Sequence, residues 1–111
     1  MSQAIIKLAP VALLGEFLFD RNQAETIARR NLAQYTSEGT LTFEDLEGEQ
    51  VAEEVFDLTN NPCRQDERER LYGRGRSVSV GDVVAVDGVD YFCASTGWRQ
   101  LLSRIADDFP A

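Results

Sequence analysis

Three polar side chains that are close together in the sequence, Ser77, Ser79 and Asp82, form the most suggestive polar set in this chain. In a strand, Ser77 and Ser79 share one face, while the neighbouring valines face the other side. Such a face could bind a ligand. In the structural alternative the serines face solvent, and Asp82 fixes a bend at Gly81 through an Asx-type hydrogen bond. We favour the structural interpretation for Asp82 and Gly81.

The absence of histidine limits the chemistry of the two cysteines. The 111 residues include Cys63 and Cys93 but no histidine, so a Cys–His nucleophile pair and a four-ligand zinc site are both missing. Cys93 alternates with apolar neighbours in a predicted strand, which indicates a buried, inert thiol. Cys63 follows Pro62 in a polar segment and is expected to be exposed. We expect no catalytic residue, cofactor or metal; an enzyme that uses Cys63 or Asp82 is an alternative.

Acidic residues are concentrated in the middle third of the chain. The net charge is −8, and residues 38–57 contain eight acids and no base. Carboxylates spaced along a helix can imitate the phosphates of DNA, which repeat about every 1.7 Å along the axis. A solvated face that only keeps the protein soluble is the plainer interpretation. On the first interpretation, the face that binds a basic protein consists of Glu44, Asp45, Glu47, Glu49, Glu53, Glu54 and Asp57.

A second charged segment lies within residues 63–75, which predict a loop or a loose helical turn leading into one, and it is rich in arginine. Its guanidinium groups could hold phosphates or the carboxylates of a partner. They could instead pair with Asp66, Glu67, Glu69 and the acidic helix, which we favour because acids and bases are interleaved at short offsets. The basic loop 64–76, the alternative partner-binding site, carries Arg64, Arg68, Arg70, Arg74 and Arg76.

Apolar periodicity predicts the elements that position these groups in the first half. Residues 3–8 are aliphatic and predict a strand. Asp20 or Asn22 can cap a helix that runs to about residue 35 and is ended by residues 37–39. Residues 40–43 alternate as a short strand. Residues 49–59 form the clearest helix, because their apolar side chains fall on one stripe and their acids fall away from it.

The second half predicts a β-hairpin. Asn60-Asn61-Pro62 ends the acidic helix, since asparagine tolerates a left-handed cap and proline cannot continue a helix. Residues 77–86 and 89–95 predict two strands, joined by the two-residue turn Asp87-Gly88. Gly97-Trp98 then predicts a turn into a short final helix.

These elements predict one α+β domain over residues 1–111. It has a small, mainly antiparallel sheet with a C-terminal β-hairpin, packed by two or three helices. No run of about 18 apolar residues is present, and the start of the chain has no basic segment followed by a small-residue cleavage site. We therefore expect a cytoplasmic protein that has no membrane contact.

The same hairpin carries a resemblance to a known family. A helix that ends in Phe56 and Asn60-Asn61-Pro62, the hydroxyl-rich segment 76–84, and Gly97-Trp98 after an aromatic-rich return strand resemble the YodL-like domain. The resemblance covers residues 51–102. Members of that family are small proteins, or parts of larger ones, of phages, plasmids and integrated elements. The resemblance implies a setting, and no catalytic residues come with it.

Two positions depart mildly from that family pattern. Gly81 stands where many members have serine, and Trp98 stands where many have phenylalanine.

The functional expectation is a non-enzymatic acidic interaction protein of a mobile element. It would bind, and inhibit, a host complex that handles nucleic acid, as an anti-CRISPR or anti-restriction protein does, through a protein partner with a basic surface. The net charge disfavours direct nucleic-acid binding. The alternative is a DNA- or RNA-binding accessory protein that uses the basic loop 64–76. A homo-oligomer is compatible with either.

Overall fold

The computed structural model describes residues 2–10, 13, 24–73, 76–94 and 97–101. These residues form an α+β fold, as predicted, with a five-stranded, wholly antiparallel sheet in the order β2-β1-β3-β4-β5. The strands are β1 (Ser2–Leu8), β2 (Thr36–Phe43), β3 (Val83–Val86), β4 (Val89–Cys93) and β5 (Trp98–Gln100). The described helices are α1 (Ala24–Asn31), α2 (Glu49–Asn60) and α3 (Gln65–Leu71). Short 3-10 turns at Leu32–Gln34 and Pro62–Arg64 follow α1 and α2.

Strand β1 is an interior strand of the sheet, between β2 and β3. Its residue Ile6 is opposite Gly39 of β2 on one side and opposite Val84 of β3 on the other. Burial alternates along β1, with Ala4, Ile6 and Leu8 buried and the residues between them more exposed. This is the pattern of a strand whose two faces meet different environments.

Helix α2 covers one face of the sheet. Val51, Val55 and Leu58 recur at helical spacing and are fully buried, in one cluster with Ile6 and Val84. Burying each such side chain stabilises the fold by about 1.5–3 kcal/mol relative to leaving it in water. The predicted helix over 49–59 is therefore confirmed, and this packing fixes which of its residues face outward.

Helix α1 covers part of the opposite face. Ala24 and Ala28 are buried there with Val83, Phe92 and Leu101. Alanine on this side of the helix lets the backbone approach the sheet closely. Of the rest of the helix predicted from Asp20 or Asn22 to about residue 35, residues 20–23 lie outside the described residues. A 3-10 turn follows Asn31 in place of further α-helix.

The hairpin between β3 and β4 is confirmed. Asp87 and Gly88 both have positive φ, at 49° and 87°, as a two-residue type I′ turn requires. The Asp87 carboxylate also accepts a hydrogen bond of 2.9 Å from the Gln3 amide, which joins the hairpin turn to β1. As predicted, Tyr91 and Cys93 lie on one face of β4 and Phe92 on the other. Tyr91 and Cys93 pack with the buried side chains of α2, and Phe92 packs with those of α1.

Several predicted boundaries were wrong because long-range pairing decided them. Strand β2 includes residues 37–39, predicted as the end of a helix, since Ser37 pairs with Lys7 and Gly39 with Ile6. Trp98 does not open a helix, because β5 pairs with β4. The final helix predicted beyond Leu101 lies outside the described residues.

Residues 63–75, predicted as a loop or a loose helical turn, contain helix α3. Acids occupy its first turn (Asp66 and Glu67) and bases its last turn (Arg68 and Arg70), which suits the helix dipole at both ends. Asn61 is not left-handed as predicted; its φ is −81°, and its side chain accepts a hydrogen bond from the Cys63 amide. No helix in the described part of the chain is long and apolar enough to cross a membrane.

Candidate functional site

Asp82, the charged member of the polar set Ser77, Ser79 and Asp82, has a deeply buried carboxylate. Its side chain has no solvent exposure. It accepts hydrogen bonds from the backbone amides of Ala9 and Ser79, each at 2.8 Å, and a longer one of 3.3 Å from the Ser79 hydroxyl. Arg76 binds both carboxylate oxygens, at 2.7 and 2.8 Å. Five donor contacts therefore occupy this carboxylate.

Arg76 extends the same network to the end of β1. Its guanidinium donates to the Ala9 carbonyl at 3.1 Å and to the Ser79 hydroxyl at 3.2 Å. Hydrogen bonding to Asp82 raises the pKa of Arg76. The Arg76–Asp82 ion pair and its hydrogen bonds thus join residues 9, 76, 79 and 82. This arrangement is that of a structural hydrogen-bond network.

This network explains why the strand predicted over 77–86 begins only at Val83. Residues 76–79 are irregular, and Ser77 donates to the Thr59 carbonyl at 2.6 Å while the Val78 amide donates to the Thr59 hydroxyl. The predicted shared face of Ser77 and Ser79 is therefore not formed. Asp82 does fix the bend as favoured, although its main local contact is with the Ser79 amide.

Tyr35 closes the other side of the bend at Gly81. Its hydroxyl donates to the Gly81 carbonyl at 2.6 Å, and Gly81 has a φ of 99°, where a side chain would be strained. Burial, with a smaller effect of the Asp82 charge, raises the pKa of Tyr35. The tyrosine is therefore a neutral hydrogen-bond donor.

The two cysteines have the predicted environments. Cys93 is 4% exposed, and burial, followed by the charges of Asp82 and Glu53, raises its pKa to about 12. Its thiol is therefore protonated near neutral pH and is a poor nucleophile. Cys63 is exposed.

Five of the seven predicted acids form an exposed group that we call the acidic rim. Leu46 packs against the core in the middle of this segment, and its carbonyl accepts a 2.8 Å hydrogen bond from the Ser2 hydroxyl. The loop before α2 is therefore held in place. Within the described residues, no rim carboxylate has an ion-pair partner. The acidic rim consists of Glu44, Asp45, Glu47, Glu49 and Glu53.

The other two predicted acids, Glu54 and Asp57, are bound by Arg64. The guanidinium of Arg64 contacts Glu54, reaches Asp57 at 2.8 Å, and binds Glu67 at 2.8 Å. Hydrogen bonds from Arg64 lower the pKa values of Asp57 and Glu67. We call this group the Arg64 clamp; it joins α2 to α3 and separates Glu54 and Asp57 from the acidic rim.

The basic loop does not present its arginines as one surface. Arg64 is committed to the Arg64 clamp and Arg76 to Asp82. The Arg68 guanidinium lies 5.7 Å from the centre of the Tyr72 ring. Arg70 is exposed, and Arg74 lies outside the described residues.

An open cleft beside α2 was not predicted. Its volume is about 380 Å³, and its lining includes Glu53, Phe56, Val80 and Ala94. Phe56 is 36% exposed and packs edge-to-face against Trp98, with 6.3 Å between ring centres and an angle of 85°. The helical spacing could have revealed Phe56, because it lies nearer to the Glu53 side of α2 than to the buried stripe.

The chain matches no family model, no curated protein and no solved structure. Among the described residues, no group of three or more acidic or cysteine side chains is placed to hold a metal ion.

Proposed function

We propose that this protein is a non-enzymatic interaction protein of a mobile element. It binds the basic surface of a host complex that handles nucleic acid and inhibits that complex, in the manner of an anti-CRISPR or anti-restriction protein. The mobile-element setting rests on the resemblance of residues 51–102 to the YodL-like domain. The acidic rim is the single observation that carries the mechanism.

The acidic rim suits such binding because it is exposed and anchored. Glu49 and Glu53 lie one turn apart on α2, on the outside of a helix whose inner stripe is fully buried. The preceding acids lie on a loop that Leu46 ties to the core. A partner that normally holds DNA phosphates has cationic groups that can pair with these carboxylates instead.

The alternative, a DNA- or RNA-binding accessory protein, has weaker support. Its basic loop has Arg64 and Arg76 engaged in internal ion pairs. The net charge of −8 opposes approach to a phosphate backbone.

Matched charge variants test the proposal. The rim variant Glu44→Gln, Glu47→Gln, Glu49→Gln loses three negative charges from the acidic rim. The control variant Glu38→Gln, Asp66→Asn, Glu69→Gln loses the same number from exposed positions elsewhere. We expect wild-type protein and the control variant to capture a basic nucleic-acid enzyme from host lysate and to inhibit its cleavage or binding of DNA. The rim variant should lose capture.

Competition identifies the surface of the partner that is bound. Added duplex DNA should release the captured enzyme, because both ligands would occupy one basic groove. Capture and inhibition by the rim variant at the wild-type level would contradict the proposal.

A further inference from the structure

We propose that the cleft beside α2 receives an arginine side chain from the cationic protein partner. The guanidinium would bind the Glu53 carboxylate and lie against the ring of Phe56, which Trp98 supports. This inference rests on the proposed function and names the group that the partner inserts.

The aromatic pair supplies the first part of such a site. Phe56 is one of the large hydrophobic residues exposed in the described chain. In its edge-to-face contact with Trp98, the ring that presents its edge keeps both faces uncovered by the other ring. Guanidinium groups stack on uncovered aromatic faces, with a gain of about 0.5–1 kcal/mol at exposed sites.

Glu53 supplies the charge. It lines the cleft and is exposed, and no cation among the described residues pairs with it. Its charge acts on Cys93 at the cleft wall, where it contributes to the raised pKa of the thiol. Glu49, one helical turn before it, adds negative potential, so an acidic ligand would be repelled.

The rest of the cleft suits the stem of a long cationic side chain. Val80 and Ala94 give it an apolar wall, against which the methylene groups of arginine can lie while the charged head stays near water. A volume of about 380 Å³ is at the small end of ligand sites, so it fits one side chain rather than a folded element. Arginine fits better than lysine because a planar guanidinium can stack and bind a carboxylate through two bonds.

Trp98 is the only tryptophan in the chain, and it packs against Phe56 of the cleft lining. Its indole N–H signal in nitrogen–proton NMR spectra therefore reports on the cleft through that contact. The probes are three capped peptides, Gly-Ser-Arg-Ser-Gly and its lysine and glutamate counterparts. We expect the arginine peptide to shift the Trp98 signal saturably, the lysine peptide to do so at higher concentration, and the glutamate peptide to have no effect.

Variants of the full chain then separate the cleft from general charge attraction. Glu53→Gln should raise the dissociation constant of the arginine peptide about 3-fold, the effect of one exposed ion pair. Phe56→Leu should raise it by a similar factor, because it keeps an apolar side chain but removes the ring. Glu69→Gln makes the same charge change at an exposed position outside the cleft and the acidic rim, and should leave the constant unchanged. Wild-type-like spectra elsewhere confirm that each variant is folded.

The inference is overturned by any of three results. These are equal weakening by Glu53→Gln and Glu69→Gln, equal shifts by the arginine and glutamate peptides, or no Trp98 shift at about 10 mM arginine peptide, a concentration that detects even millimolar binding. Failure of the proposed function gives a different result: the arginine peptide binds the cleft, but the rim variant still captures the partner. Loss of capture by the rim variant with no peptide effect on Trp98 would remove the cleft and keep the function.

Discussion

Asp82 is a carboxylate without solvent exposure, and such burial is costly unless the group is fully hydrogen bonded. Arg76 and the amides of Ala9 and Ser79 supply those bonds. Asp82 and Ser79, which looked like part of a ligand surface in the sequence, therefore bond to each other and to Arg76. These bonds join the end of β1 to the loop before β3.

Asp82→Asn tests this role. The amide presents N–H groups to donors that need an acceptor, and it leaves Arg76 without its charge partner. We expect the free energy of unfolding, measured by urea denaturation, to fall by about 3 kcal/mol, the lower end for a broken buried pair because Arg76 is partly exposed.

Asp87→Asn is the matched control for that change. Asp87 is exposed, and asparagine also tolerates the positive φ of the hairpin turn. We expect a change within about 0.5 kcal/mol. Equal losses from the two variants would mean that the Asp82 network contributes no more than a surface residue.

At the scale of elements, the Arg64 clamp fixes α3 against α2. Arg64 immediately precedes α3, and two of its three carboxylate partners lie on α2. The clamp holds a short helix that has few buried contacts of its own, since none of the seven residues of α3 is buried.

The Arg64 clamp should make stability depend on pH. Asp57 and Glu67 have folded-state pKa values below their ordinary values of 3.8 and 4.5. Their contribution is therefore complete above those values and is lost as the pH falls through and below them. Urea denaturation should show Arg64→Gln to be less stable than wild type at about pH 7, with a smaller difference at about pH 3.

Arg70→Gln is the control for the Arg64 clamp, because Arg70 is an exposed arginine of α3. Its effect on stability should be small at both pH values. A deficit of Arg64→Gln that stays the same at acidic pH would assign the effect to lost packing of the side chain rather than to its carboxylate partners.

Elements with local signals were predictable, and those set by distant partners were not. Helix α2 has a stripe of buried valine and leucine, and the hairpin has Asp87-Gly88; both signals lie within the element itself. The irregular segment before β3 depends on Thr59 and Ala9, which are distant in the sequence. The exposed acids were predictable from composition. The pairing of Glu54 and Asp57 with Arg64, which takes them out of the acidic surface, depends on the fold around α3, where only a loop or a loose helical turn was predicted.

At the scale of the whole molecule, the net charge distinguishes between the two proposed functions, binding of a cationic protein and binding of nucleic acid. The chain has 19 acids and 11 bases, and at least two of the arginines of the basic loop are neutralised internally. The long-range field is therefore negative, which favours cationic proteins and disfavours polynucleotides.

A gel-shift measurement tests this conclusion. We expect no shift of duplex DNA or single-stranded RNA by this protein at about 0.1 M salt. A shift that falls steeply with salt and is lost in Arg68→Gln, Arg70→Gln, Arg74→Gln would instead establish the accessory function. Retention of such a shift in Glu38→Gln, Asp66→Asn, Glu69→Gln would show that the loss is specific to the arginines.

The place of β1 between β2 and β3 has a consequence for how the protein is made. The ribosome makes β1 well before its partner β3, because β1 ends at Leu8 and β3 begins at Val83. At ordinary translation rates, the interval between the two is on the order of ten seconds. During that time the nascent β1 has at least one open edge, so the sheet can be completed only after β3 has been made.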